Sequence, residues 1–262
     1  MSWSNLVSIV AKLRSPEGCP WDRAQTHASL KRYLLEEAYE FLETIDAADP
    51  QAMKDELGDV LLQVVLHAQI AAENGQFTID DVITNLSEKL VRRHPHVFAE
   101  ATAETPEEVL VNWEAIKKQE KAGAERRSIL DGVPRELPAL MRAEKIQKKA
   151  ARVGFDWDHT HEVVEKVKEE FKELEEAAAA GSQDALEEEL GDLLFAVVNL
   201  SRFLKVDPEF ALQKATAKFI ERFHLLEGYA DEENLDLNAM DLDGLNELWD
   251  RAKDQLRRNP QA

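Results

Sequence analysis

The chain has 262 residues, 44% of them hydrophobic and 32% charged, which suits one large or two modest folded domains and excludes a disordered chain. Its formal charge of −20 argues against a nucleic-acid-binding surface, but not against a small phosphorylated ligand whose charge is offset by cations. The single cysteine, Cys19, excludes an intrachain disulfide and fits a reducing compartment.

In chain order, MSWSNLVSIVAKLRS at the N-terminus is too short in apolar sequence to span a membrane and has no signal-cleavage pattern. The expected location is therefore cytoplasmic, with no membrane partner. Helical periodicity dominates and no alternating strand stands out, so an all-α fold is expected. LEEAYE (35–40) leads to ELGDVLLQVV (56–65). The next helix begins after Thr78 and stops at Pro95. Thr105-Pro106-Glu107-Glu108 is a capping box with Pro at the first helical position, opening a helix to about Lys121. Residues 122–138, with two Gly and two Pro, read as a linker. Pro138 starts a helix whose basic face is read as solvated. KEEFKE (168–173) and ELGDLLFAVV (189–198) are joined by AAAAGSQDA, a helix stop and restart. Asp207-Pro208 opens a helix reaching roughly Glu227, and Asp241 caps a last one ending near Arg258.

The chain repeats itself. Glu36, Glu37, Glu40, Glu56 and Asp59 map onto Glu169, Glu170, Glu173, Glu189 and Asp192 at one constant offset of 133 residues. WDRAQTH (21–27) resembles WDHTH (157–161), KLVRR (89–93) resembles KFIER (218–222), and WEAIKKQ (113–119) parallels WDRAKDQ (249–255). A repeat this long implies two copies of one module, here 1–121 and 139–262, not a solenoid.

In an antiparallel hairpin, facing residues are equidistant from the turn. Glu173 and Glu189, and likewise Glu170 and Asp192, are symmetric about Gly181; Glu40 with Glu56 and Glu37 with Asp59 are symmetric about Ala48. Within each helix the acids are three apart, on one face and about 4.5 Å apart along the axis. Four carboxylates therefore converge in each module, where without compensation at least one would keep its proton. All-oxygen ligands suit Mg²⁺, with Mn²⁺ as a substitute, better than Zn²⁺. A di-iron bundle would need two Glu-x-x-His pairs, and only Glu221-x-x-His224 is found. The competing reading, a solvated acidic face, is accepted for Glu175, Glu176, Glu187 and Glu188. For the quartets it is not, because Asp59 shares a stripe with Leu62 and Leu66, and Asp192 with Phe195 and Ala196. Both aspartates are expected among core neighbours. Gly58 and Gly191 suggest close helix packing or room for a ligand.

GCPWDRAQTH, LEEAYE, ELGDVLLQVV, RRHPHVF, LPALMRAEKIQKKAARVGFDW, EEELGDLLFAVVNL and DPEFALQKATAKFIERF, in this order, resemble the two-module bacterial members of the MazG family of all-α nucleoside triphosphate pyrophosphohydrolases. The resemblance implies two tandem helical modules, each an antiparallel hairpin within a four-helix-type bundle, and assembly as a homodimer. It implies Mg²⁺-dependent hydrolysis of nucleoside triphosphates to monophosphate and pyrophosphate, with the C-terminal module as the catalytic one. Glu170, Glu173, Glu189 and Asp192 would then be metal ligands, with Glu37, Glu40, Glu56 and Asp59 as their first-module equivalents. Lys166, Lys168, Lys218 and Arg222 would contact the triphosphate, and Trp249 would lie against the nucleotide, with Lys253 beside it. Glu169 and Glu36, next to the ligand pairs, are candidates to orient or deprotonate water, or else are solvated. Taken alone, Trp249 and Trp113 would read as core. Glu221 stands where relatives often carry an arginine, whereas the first module keeps Arg92-Arg93. His94 and His96 read as loop or phosphate-side residues and are not assigned to metal. Two other readings remain at this point: an acidic helical adaptor without catalysis, and a hydrolase of a non-nucleotide pyrophosphate.

Overall fold

A computed structural model describes residues 2–120 and 128–258. Among them every regular element is helical, and the chain divides into two units, Met1–Ala124 and Glu125–Ala262. The expected helix end at Lys121 and residues 122–127 of the expected linker lie outside the described residues.

In the first unit, α1 (Trp3–Leu13) and the short α2 (Pro20–Ala24) precede a long hairpin of α3 (His27–Asp46) and α4 (Pro50–Glu73). Local signals fix its limits. The Thr26 hydroxyl accepts from the backbone N–H of Ser29, and the Ser29 hydroxyl accepts from that of Thr26, at 3.1 and 2.9 Å. The Asp49 carboxylate caps α4 through the N–H groups of Gln51 and Ala52, with Pro50 at the first position. Ala48 turns the hairpin in the left-handed region (φ 51°). Then follow α5 (Ile79–Arg93), α6 (Pro95–Phe98) and α7 (Pro106–Glu120). The Thr105 hydroxyl caps α7 as expected, but the reciprocal bond from Glu108 goes to the N–H of Glu104.

Val10, Leu30, Val65, Leu66 and Ile70 form the first unit's core, which seats α1 on α4. Arg14 locks the intervening loop. Its side chain is 6% exposed, and its guanidinium meets Glu73 at 2.8 Å and donates to the carbonyls of Asp22 and Gln25. Those Arg14 hydrogen bonds hold the Glu73 carboxyl below its ordinary pKa.

The second unit repeats the plan with α8 (Ala139–Ala151), the hairpin α9 (Thr160–Ala180) and α10 (Gln183–Phe203), then α11 (Pro208–Glu233) and α12 (Leu242–Arg258). Gly181 takes the left-handed turn (φ 71°) that its missing Cβ makes inexpensive, and the Ser182 hydroxyl caps α10. The helix α11 runs to Glu233, past the expected stop near Glu227. Gly228 costs about 1 kcal/mol in a helix interior, but Leu226 and Ala230 on either side pack with Leu248 of α12, and that packing carries the helix through. Residues 128–131 of the expected linker are strapped to α8, because Lys149 Nζ donates to the carbonyls of Ile129 (2.9 Å) and Asp131 (2.7 Å).

Candidate functional site

The two hairpins bring the acids together as their symmetry requires. Carboxylate oxygens of Glu37, Glu56 and Asp59 lie within 4.8 Å of one another in the first unit, and those of Glu170, Glu173 and Glu189 do so in the second. Glu40 and Asp192 stand outside these triads but act on them. The pKa of Glu37 is raised by partial burial and then by Asp59, Glu40, Glu56 and Glu36. Burial, then Glu40, Asp59 and Asp55, raises that of Glu56. Glu189 is raised by burial and then by Glu173, Glu170, Glu188 and Asp192. Like charges gathered this way favour a proton or a cation between them. The donor set, oxygen throughout, fits a hard divalent cation.

The units differ in what answers this charge. Lys166 Nζ meets both Glu169 and Glu170 at 2.8 Å, and Glu170 is the buried member of its triad. These pairings, Glu169 first, raise the Lys166 pKa. At the same place in the first unit stands Tyr33, without charge. Glu169 itself is exposed and tied to Lys166, while Glu36 is simply exposed.

Other expected residues are placed elsewhere. Lys168 pairs with Glu165 at 2.9 Å, on the face that also carries the Lys172–Glu176 pair, and so points away from the triad. Trp249 is half-buried against the α11–α12 core, its ring 5.0 Å from Phe219, with the Arg222 guanidinium 5.8 Å from the indole centroid. Lys253 on α12 pairs with Asp250 at 2.5 Å, and Lys218 is exposed on α11. This aromatic and basic group thus sits on α11–α12, and the carboxylates sit on α9–α10.

Asp59 and Asp192, expected among core neighbours, are exposed. Each hairpin also leaves a row of apolar residues open, on the opposite face of the same helix from its aspartate. Leu57, Leu61 and Val64 on α4 are 49%, 37% and 40% exposed, and Leu190, Leu194 and Val197, the same positions on α10, are 48%, 51% and 45% exposed. A Cβ on Gly58 or Gly191 would meet nothing within 4 Å, so close packing inside the unit does not explain these glycines.

A cavity that sequence reasoning missed lies between α8, α10 and the segments 128–130 and 153–157. Its volume is about 620 Å³, and Ile129, Phe155, Trp157 and Phe195 supply apolar walls. Five polar residues also line it: Ser128, Gln147, Asp156, Asn199 and Arg202. Gln147 is 6% exposed, and its Nε2 donates to the Phe195 carbonyl (2.9 Å), while its Oε1 is buried with no partner among the described residues. Arg202 pairs with Asp156 and Asn199 and keeps a buried Nε without a partner. The signal lay in the repeat. Asn199 and Arg202 occupy the positions of Leu66, a core residue, and Gln69 in the first unit. Where the first unit places a core leucine, the second keeps an amide beside open space.

The profile of the MazG nucleotide pyrophosphohydrolase domain matches residues 25–98 and 159–225, covering both hairpins. The chain is 54% identical, over 96% of its length and 95% of the relative's, to the nucleoside triphosphate pyrophosphohydrolase/pyrophosphatase MazG of Thermotoga maritima. It is 49% identical to a nucleoside triphosphate pyrophosphohydrolase of Escherichia coli K12, over 95% of this chain and 96% of that protein. An uncharacterized Bacillus subtilis protein, YabN, is 52% identical over 98% of this chain, which spans 53% of it. With both carboxylate hairpins inside the matched segments, the chain belongs to the MazG nucleotide pyrophosphohydrolase family.

Proposed function

We infer that the chain hydrolyses nucleoside triphosphates to the monophosphate and pyrophosphate, at the carboxylates of α9 and α10, with Mg²⁺ as the natural cation and Mn²⁺ able to replace it. The observation that carries this reading is the carboxylate hairpin repeated in a chain so close to enzymes of that activity. A divalent cation bound there would neutralise phosphate oxygens and make a nearby water more acidic. Glu170, Glu173, Glu189 and Asp192 would hold it. Glu169, kept in place by Lys166, orients the water and accepts its proton. The water oxygen bonds to the α-phosphorus as the bond to the bridging oxygen breaks, and that electron pair leaves on pyrophosphate. Lys218 and Arg222 stabilise the leaving charge, and Lys166 adds its own from beside Glu169. Trp249 and Lys253 flank the nucleotide from α12.

The cavity beside α10 suits the nucleobase. Phe195 lies one helical turn beyond Asp192 and Asn199 one turn further, a spacing that matches the step from α-phosphate to base. Gln147 Oε1 and Arg202 Nε offer one acceptor and one donor to its edge. Asn199→Leu, which installs the first unit's residue, should raise KM about tenfold and flatten base preference while kcat is largely kept. Unchanged KM and preference across a panel of nucleoside triphosphates would remove the base from the cavity. The same panel, read as pyrophosphate release with and without Mg²⁺, tests the activity itself and separates it from hydrolysis of a non-nucleotide pyrophosphate or from an adaptor role.

The matching exposed rows on α4 and α10 favour assembly as a homodimer, because a second copy laid on them would remove six large apolar side chains from water.

A further inference from the structure

Residues 128–131, which supply one wall of the cavity beside α10, form a turn that is bonded largely to itself. The Ser128 N–H donates to the Asp131 carboxylate at 3.0 Å, the Leu130 N–H to the Ser128 hydroxyl at 3.1 Å, and the Asp131 N–H to the Ser128 carbonyl at 3.1 Å. What ties this turn to α8 is Lys149, whose Nζ gives two of its three donors to the carbonyls of Ile129 and Asp131. Gly132, next in the chain, takes the left-handed backbone (φ 77°) that a missing Cβ makes inexpensive. Lys149 stands in the last turn of α8, where a cation suits the carbonyl end of any helix. That general preference does not account for the reach to a separate segment. Nor does the module require a cation here, because the repeat, carried back from Trp157 to Trp21, puts Leu13 at this place in α1.

The turn is also unfinished as a wall. Ile129 and Leu130 line the cavity, yet they are 50% and 39% exposed. A flat apolar surface laid between them and the rings of Phe155 and Trp157 would take that area from water. We propose that Lys149 is a positioning residue for nucleobase binding: it holds the 128–131 turn against the cavity, and the turn pivots at Gly132 to close on the base of a bound nucleoside triphosphate. The identity of the ligand rests on the proposed placement of the base; the tether rests on the Lys149 contacts alone. Two charge-assisted bonds keep the turn beside the empty cavity, and its internal bonds let it move as one body. The turn touches no reacting atom. Its effect therefore falls on binding of the base, and the phosphates at the α9–α10 carboxylates do not sense it.

The test uses the full chain with an α,β-methylene nucleoside triphosphate and Mg²⁺, an analogue that resists cleavage at the proposed bond. On binding, amide hydrogen exchange at 129–131 should slow about tenfold or more, together with that at 153–157. Lys149→Met should remove the slowing at 129–131, raise KM for nucleoside triphosphates about tenfold and keep kcat. Lys149→Arg, which can also donate to two carbonyls, should restore both. Ile129→Ala leaves the tether in place and should raise KM about threefold. Inhibition by inorganic pyrophosphate, which has no base, should be the same in every variant. Slowed exchange at 153–157 with none at 129–131 would overturn the proposal and leave the base in the cavity. Slowing in α9 and α10 alone would remove the base from the cavity, and the proposal with it. Slowing nowhere would count against the activity itself, and so against everything built on it. A Lys149→Met chain that loses kcat or pyrophosphate inhibition as much as it loses KM would make the lysine a support of the fold, which overturns the proposal equally.

Discussion

Glu189→Gln should remove most turnover and leave the fold intact, whereas Glu56→Gln should leave most turnover in place. The two positions are equivalent in the repeat, and each sits in a carboxylate triad, so the count of acids does not separate them. Their surroundings do. The second unit has Lys166 against its carboxylates, a cavity beside α10 and an Arg222 with an unanswered donor. The first has Tyr33, a core leucine in place of Asn199, and Arg92 and Arg93 already bound to Glu120. Removing a ligand charge from a working site can withdraw several kcal/mol of transition-state stabilisation, and each 1.36 kcal/mol is about tenfold in rate. A loss of about 100-fold or more for Glu189→Gln, against less than about threefold for Glu56→Gln, is therefore expected in steady-state pyrophosphate release. Equal losses would mean that both units turn over substrate.

Divalent metal should raise the melting temperature, and the rise should shrink as the solution is acidified. A ligand that binds only the folded chain at 100 times its Kd contributes about 2.7 kcal/mol per site, or several degrees in a domain of this size. The pH dependence follows from the direction of the shifts. Glu37, Glu56 and Glu189 are raised above their ordinary values, so in the metal-free fold they favour the proton-bound form. Their contribution to stability is present in acid and is lost as pH climbs through those raised values. Metal replaces the lost protons at neutral pH and competes with them below it. Melts in Mg²⁺ and in chelator should accordingly separate at pH 7 and converge as pH falls through the carboxylate range. Coincident melts at pH 7 would mean that the triads hold no metal.

The site's geometry was readable because it is local and symmetric. Helical spacing puts acids three apart on one face, and an antiparallel hairpin pairs residues equidistant from its turn. Ala48 and Gly181, the two centres of symmetry, are the residues that adopt left-handed backbone at the turns. The capping residues Asp49, Thr78, Thr105, Ser182 and Asp207 likewise act within a few positions of themselves. What escaped the sequence is contact between distant segments. The cavity gathers side chains from 128 to 202, and only Asn199 and Arg202, set against Leu66 and Gln69, hinted at it. The contact of Arg93 with Glu120 spans 27 residues and two helices. The direction of Lys168 could have been read, because residues two apart on a helix do not share a face, and Lys166 already faced Glu170. Asp59 and Asp192 were expected under cover because apolar neighbours normally mark a core. Here Leu62, Leu66 and Ala196 do turn to the interior, but the aspartates on the same stripe stay exposed.

The central claim is attack of water on the α-phosphorus at the α9–α10 carboxylates, and the most direct measurement is hydrolysis of a nucleoside triphosphate in ¹⁸O-labelled water with Mg²⁺. The account predicts one labelled oxygen on the nucleoside monophosphate and none on the pyrophosphate, with the signal lost in Glu189→Gln. Label on free orthophosphate, with nucleoside diphosphate as the second product, would contradict it.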